Sequence, residues 1–262
     1  MHKKVIIVGA GPAGLAASRT LLREGVDFTL LDSHSFPRVK GCGGGLTPRA
    51  RETISQIFPE SEIDGFESFE LALSKISDGA VKHLVTLVSK KPMFTTVNRK
   101  ELDNKLLESV TDRGGEFVSS RVRRVNRSGD GFVVRTEDSE LTADYVIVSA
   151  GVFGAKLAGL EPPCYAIASH GYSSPTVSAS VIFIQDGYLW SFPGESYDSV
   201  GGGKYPDCSH IPSFEEISTL LRKSFDEELA LNGTPVPLFN SDLVLKLNNF
   251  ETGLLFAGDS AG

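Results

Sequence analysis

The chain has 262 residues, 40% of them apolar and 23% charged, a balance that fits a soluble globular protein of one large domain or two interleaved ones. Its formal charge of -7 argues against a nucleic-acid surface, so no nucleic acid is expected as a partner. Three cysteines, Cys42, Cys164 and Cys208, are odd in number and lack C-x-x-C spacing, which disfavours a disulfide framework and a zinc site and points to a reducing, cytoplasmic setting.

The apolar run Val5 to Val8 is too short for a signal sequence or a membrane span and reads as a buried parallel strand. Pro12 to Glu24 has helical periodicity through Leu15, Leu21 and Leu22, with Gly25 as its stop. Phe28 to Leu31 is a second strand ending at Asp32, which completes a strand–helix–strand unit. Phe36 to Leu46 is glycine-rich and is expected to be loop, and Thr47 caps a helix running to Phe58. From Phe66 to Val97 the alternation of Phe69, Leu71 and Leu73, with a turn at Asp78-Gly79, predicts antiparallel sheet in a different layer. Helix returns over Arg99 to Arg113, with Leu102, Leu106, Leu107 and Val110 on one face. Phe117 to Arg135 reads as strand, turn and strand, and Tyr145 to Val148 as a buried strand running into Ser149-Ala150-Gly151. Beyond Pro162 strands recur, notably Val177 to Ile184, with one helix at Phe214 to Leu229, and Gly253 to Ala257 is expected to rejoin the first sheet.

Val8-Gly9-Ala10-Gly11-Pro12-Ala13-Gly14 follows a strand, opens a helix, and is answered by Asp32 at the end of the next strand. That context turns a weak G-x-G-x-x-G into a dinucleotide fingerprint. Gly9 allows the tight turn, Gly11 lets backbone approach a pyrophosphate, and Gly14 lets helix pack on strand. Unpaired N–H groups at the helix start face the phosphates. Asp32 would accept hydrogen bonds from the adenosine ribose and repel a 2′-phosphate, favouring FAD or NAD over NADP. The bland alternative is a purely structural glycine turn. At the far end, Leu254-Leu255-Phe256-Ala257-Gly258-Asp259 places a glycine–aspartate pair after an apolar strand, as flavoproteins do against the ribityl chain. Gly258 and Asp259 therefore favour FAD, against the reading of a surface turn.

Three further segments resemble the geranylgeranyl reductase family, flavoproteins of the p-hydroxybenzoate-hydroxylase-like superfamily. Arg38-Val39-Lys40-Gly41-Cys42-Gly43-Gly44-Gly45-Leu46 is similar to that family's cysteine–glycine loop. Tyr188-Leu189-Trp190-Ser191-Phe192-Pro193, with Gly201-Gly202-Gly203 downstream, is similar to its YxWxFP signature. Asn98-Arg99 with Leu102, Asp103 and Leu106 is similar to the arginine that opens the helix after the first insertion. The resemblance implies a Rossmann-like α/β FAD-binding domain of the glutathione-reductase type over 1–65, 98–161 and 250–262. An interleaved antiparallel-sheet substrate domain would take 66–97 and 162–249. It implies saturation of C=C bonds in an isoprenoid lipid, with electrons from NAD(P)H or a small iron–sulfur protein and peripheral membrane contact.

In that reading Gly43 and Gly44 lie close to the flavin ring and Cys42 is a catalytic candidate, the alternative being a small buried hydrophobe. Arg38 and Arg99 are cofactor candidates or else solvated surface charges, and Val122 is counted with the cofactor contacts. Tyr188, Trp190 and Phe192 share one strand face and would wall an apolar substrate tunnel, or else pack in the sheet core. Two positions depart from the pattern: Ala150-Gly151 stands where the superfamily has aspartate–glycine, and Gly194 where the family has a basic residue. The sequence also stops where the flavin-facing helix would begin, so a truncation and weak FAD binding by this form are expected. Two other readings stand beside the reductase: a flavin monooxygenase or halogenase on the same fold, and a non-catalytic or partner-dependent fragment.

Overall fold

The structure, a computed structural model, describes residues 3–162, 164–205, 214–225, 229–238 and 252–261. Cys208 and Gly262 lie outside them, as do residues 226–228 of the helix expected to reach Leu229 and the whole stretch 239–251. The chain begins β1 (Val5–Val8), α1 (Pro12–Arg23), β2 (Phe28–Asp32), β3 (Gly45–Leu46), α2 (Pro48–Ile57), β4 (Phe66–Ser68), β5 (Glu70–Ser77), β6 (Ala80–Val88) and β7 (Phe94–Thr96). It continues α3 (Arg99–Thr111), β8 (Glu116–Ser119), β9 (Val122–Ser128), β10 (Gly131–Thr136), β11 (Glu140–Ala143), β12 (Tyr145–Val148) and α4 (Gly154–Leu157). The last described elements are β13 (Tyr165–Ser173), β14 (Ala179–Ile184), β15 (Gly187–Phe192), β16 (Asp198–Lys204), α5 (Phe214–Phe225), β17 (Asn232–Pro237), β18 (Leu254–Phe256) and a 3₁₀ turn, Gly258–Ser260.

Five strands form a parallel sheet in the order β18-β12-β1-β2-β8, so the tail strand does rejoin the first sheet beside β12. Alternate residues of β1 serve opposite layers, as the two-residue period of a strand requires. Val5 and Ile7 join Leu15 of α1 and Leu102, Leu106 and Val110 of α3. Ile6 and Val8 face the other way, onto Val125, Phe132 and Val134 of the antiparallel ribbon β11-β10-β9. The parallel sheet is thus sandwiched between helices and a small antiparallel sheet, a mixed α/β architecture.

A seven-stranded sheet, β17-β13-β16-β15-β14-β5-β6, forms the other large layer. The segments 66–97 and 162–249 meet in it at β5 and β14, and that pair is parallel. The sheet is therefore mixed rather than wholly antiparallel. Helix α5 covers one face, burying Ile217 and Leu221 against Leu189 and Val200. The β5–β6 hairpin turns at Asp78 and Gly79, both with positive φ (55° and 74°), the pairing favoured in tight hairpins. The glycine-rich stretch differs from expectation at its end: Gly45 and Leu46 pair with Thr96 and Thr95 as strand β3. Loop-like composition is overridden there because β7 offers an unpaired edge. Thr47 caps α2 as expected, its hydroxyl oxygen accepting from the Ala50 N–H at 3.2 Å.

Candidate active site

The glycine turn between β1 and α1 is built by contacts that leave no room for side chains. Gly9 has φ of 104°, and a Cβ there would lie 2.3 Å from the Ser149 carbonyl oxygen. A Cβ on Gly14 would lie 1.9 Å from the Gly9 carbonyl oxygen, which is how closely the first turn of α1 rides on the strand end. Gly11 is different: the nearest atom to an added Cβ is Arg38 Nη2, at 4.0 Å. Its outer side is open, as close approach by a diphosphate demands. Ser149, at the end of β12, donates to the carbonyls of Val8 (3.0 Å) and Gly9 (2.8 Å) and pins the turn from behind.

Asp32 closes β2 beside this turn. Its Oδ2 accepts from the Ala10 N–H at 2.8 Å and its Oδ1 from the His34 N–H at 3.0 Å, which fixes the carboxylate while leaving lone pairs for a ribose. Arg38 arches over from the loop, reaching the Ala10 carbonyl at 3.4 Å and stacking on Phe36 at 4.7 Å. At the other end of the chain the 3₁₀ turn packs on the start of α1, where a Cβ on Gly258 would lie 2.7 Å from Cβ of Ala13. The Ser260 hydroxyl donates to the Gly151 carbonyl at 2.8 Å, tying this tail to the segment after β12.

These pieces enclose a cleft of about 610 Å³. Of the expected cofactor residues, Gly9, Gly11, Pro12 and Ala13 line its base, and Asp32 and Arg38 one wall. Arg99, Val122, Gly258 and Asp259 border the same space. Gly14 lies beneath it, serving the packing of helix on strand. Arg99 is held by Asp103, with Nε donating to Oδ1 at 2.8 Å and Nη2 to Oδ2 at 3.0 Å. Burial opposes the charge of Arg99, but the twin bonds and the charge of Asp103, joined by Cys42, outweigh it and hold the guanidinium above the ordinary arginine value.

Cys42 and Gly43 line a second cleft, of about 390 Å³, that shares Val39, Lys40 and Arg99 with the first. Cys42 is exposed at its rim rather than a buried hydrophobe. Its sulfur accepts from the Gly44 N–H at 3.5 Å. The missing side chains of the loop are used by the protein itself. A Cβ on Gly43 would lie 2.9 Å from Trp190 Nε1, and one on Gly45 3.1 Å from the Phe192 ring. Gly44 is pressed against the Val97 carbonyl.

Tyr188, Trp190 and Phe192 do share a face, with Trp190 and Phe192 stacked at 6.2 Å and Tyr188 at 6.0 Å from Trp190. They line neither cleft. Trp190 is only 7% exposed, wedged between Gly43 and Gly201, and Phe192 packs on Phe94 at 4.7 Å. Trp190 and Phe192 form a packed wall behind the loop, while Tyr188 is 40% exposed at its outer end, so the three do not line an open tunnel along either cleft.

Sequence reasoning singled out neither Ser149 nor Asp103 as a site residue. The spacing of Asp103 four residues after Arg99 on one helix was a usable signal. Ser149 carried none beyond its place at a strand end.

FAD fits this cleft: an open glycine turn at a helix start, an oriented carboxylate at the neighbouring strand end, and an arginine whose buried Nε has no partner among the described residues all face one space. Gly258 and Asp259 stand at its other end. The family model for the FAD binding domain matches residues 2–161, more than half of the chain. Menaquinone reductase of Mycolicibacterium smegmatis is 29% identical, over 88% of this chain and 62% of that protein. Geranylgeranyl diphosphate reductase of Rhodobacter capsulatus is 25% identical, over 100% of this chain and 69% of that protein. The chain spans about half to two thirds of the length of curated relatives such as these reductases. Two solved structures show the same fold. A geranylgeranyl bacteriochlorophyll reductase-like protein from Thermoplasma acidophilum has a TM-score of 0.76 at 19% identity, covering 99% of this chain and 71% of that one. The halogenase PltM has a TM-score of 0.67 at 18% identity, covering 90% and 60%. With turn, carboxylate, arginine and tail around one cleft and the family model covering four of the first sheet's five strands, the chain belongs to the FAD binding domain family.

Proposed function

We propose that this chain forms the cofactor and substrate core of an FAD-dependent oxidoreductase that saturates C=C bonds of an isoprenoid lipid. The observation that carries the reading is the position of the Cys42–Gly45 loop. One side of it is backed by Trp190 and Phe192, and Cys42 and Gly43 open onto a cleft that meets the FAD cleft at Arg99. Similarity along the whole chain to a geranylgeranyl diphosphate reductase supports it.

Reduced FAD, when bound, supplies hydride to one alkene carbon. The residues of this chain do the rest. The glycine turn, Asp32 and Arg38 would hold the adenine half, and Asp259, at the other end of the cleft, would meet the ribityl chain. Trp190 and Phe192 keep water from the back of the loop, which matters because an isolated alkene is a poor acceptor and depends on positioning and exclusion of solvent. The Sγ proton of Cys42 goes to the second alkene carbon. The thiolate left behind lies against the cation of Arg99 and regains its proton from solvent at the exposed rim. Electrons return from NAD(P)H or a small iron–sulfur protein. A lipid substrate would be met by peripheral contact with a membrane; among the described residues no helix is long and apolar enough to cross one.

The test is to load the purified chain with FAD, reduce it chemically without oxygen, and supply prenyl substrates, including a prenylated quinone. Saturated product seen by mass spectrometry, slowed in Cys42→Ala, is expected. No saturation there, together with substrate-dependent oxygen consumption in a parallel aerobic assay, would move the protein to the monooxygenase or halogenase class. Tightly bound FAD with neither outcome would end the catalytic reading.

A further inference from the structure

Asp103 sits in α3 with its side chain fully buried, at 0% exposure. A buried carboxylate is retained only where cations and hydrogen bonds compensate it. Here both oxygens are taken by Arg99, and Nη2 of Arg38 stands 3.6 Å from Oδ2. The two arginines come from separate elements, the loop after β2 and the start of α3, and both border the FAD cleft. Arg38 is itself 11% exposed, reaches into the glycine turn at Ala10, and lies 4.0 Å from Asp32. It keeps unspent donor capacity, since its buried Nε has no partner among the described residues. Without a shared anion these guanidiniums would repel one another across the cleft and turn toward solvent.

We propose that Asp103 is a positioning residue for the diphosphate of FAD, acting through Arg38 and Arg99. A guanidinium binds a diphosphate well only when its fork is aimed, because the strong contacts are bidentate and directional. Asp103 does the aiming from beneath and does not itself touch the cofactor. The role belongs to the FAD cleft and stands whatever substrate the enzyme reduces.

Asp103→Asn keeps the size of the side chain and removes its charge. The measurement is the affinity of the full chain for FAD and, separately, for ADP, which carries the diphosphate without the flavin, together with the melting temperature of the ligand-free protein. Asp103→Asn is expected to weaken both ligands by about tenfold or more, the change that follows from loosening one hydrogen bond to a charged group. Asp103→Glu is expected to recover part of that loss. Leu106→Ala, which opens a gap on the same helix, is expected to lower the melting temperature with both affinities intact. Wild-type affinity for ADP and FAD in Asp103→Asn would overturn the proposal. So would a Leu106→Ala protein that loses affinity in proportion to its stability just as Asp103→Asn does. Should Asp103→Asn fail to fold, Arg38→Ala leaves the Asp103–Arg99 pair whole; unchanged ADP binding in that variant would overturn the proposal equally.

Discussion

Gly11 and Gly14 belong to one turn, yet the same substitution at each is expected to break a different property. In Gly14→Ala the new methyl would fall 1.9 Å from the Gly9 carbonyl oxygen and 2.6 Å from Ser149 Oγ. The first of these is backbone and cannot swing aside, so α1 has to lift off β1 by more than an ångström. Overpacking a tight site costs about 1–3 kcal/mol, and a collision with backbone belongs at the upper end. At about 2–4 °C per kcal/mol for a chain of this size, the melting temperature of the ligand-free protein should fall by about 6–12 °C. In Gly11→Ala the methyl meets nothing nearer than 4.0 Å, and the residue already has φ of -79° and ψ of 178°, which alanine adopts freely. The gain of about 0.4–1 kcal/mol from a stiffer unfolded chain is partly offset by alanine's weaker N-capping, so stability should stay within about 0.5 kcal/mol. That methyl stands on the side from which the diphosphate approaches. It separates the phosphates from the helix N–H groups, whose charge-assisted bonds contribute about 1.5–3 kcal/mol each. FAD affinity should therefore drop by about tenfold to a hundredfold. Thermal melts of the apo proteins and flavin-fluorescence titrations separate the two effects. A Gly11→Ala protein that binds FAD like wild type would refute the placement of the diphosphate, and a Gly14→Ala protein with an unshifted melt would refute the packing argument.

Three other outcomes follow from single contacts. Gly201→Ala puts a methyl 2.1 Å from Cζ2 of Trp190, and should destabilise by about 1–3 kcal/mol in the wild type but far less beside Trp190→Leu; additive costs in that double-mutant cycle would show the wall is not packed as described. Ser149→Ala removes a buried hydroxyl bound to Val8 and Gly9 and should cost about 1 kcal/mol in chemical denaturation, with no cost at all contradicting its role behind the turn. His170 is 3% exposed, and burial holds its imidazole below the ordinary value of 6.5 against an opposing backbone bond at Asn232. The unfolded chain therefore takes up a proton more readily than the folded one. Stability from this group is complete above pH 6.5 and declines as pH falls below it, a decline that His170→Gln should flatten; equal slopes for both proteins would remove the histidine from the account.

The first strand, turn, helix and second strand were legible because the signals that specify them are local, even though Ser149 and β12 later support the turn. Val5–Val8, the three glycines and Asp32 lie within one strand–helix–strand unit, so period, turn chemistry and a terminal carboxylate sufficed. The tail was legible for a similar reason: an apolar triplet before Gly258 and Asp259 has few places to go except the sheet edge beside β12. The backing of the Cys42–Gly45 loop was not legible, because glycine composition says that space is needed and not what fills it. Trp190 and Phe192 fill it, and they arrive from a strand far along the chain. The same holds for β3, whose partner β7 lies beyond two intervening elements and a hairpin.

By itself the sequence determined that a nucleotide turn opens the chain, that its acidic partner is Asp32, and that a flavin-type segment lies near the other end. Those features depend on neighbours a few residues away and on side-chain periodicity, which a linear string records. Only the tertiary structure decided that Arg38 and Arg99 share one buried carboxylate, that Trp190 and Phe192 back the glycine loop, and that Arg99 borders both clefts. Each of those facts is a distance between atoms supplied by separate elements, and such distances are set by how sheets and helices stack, which no local pattern encodes.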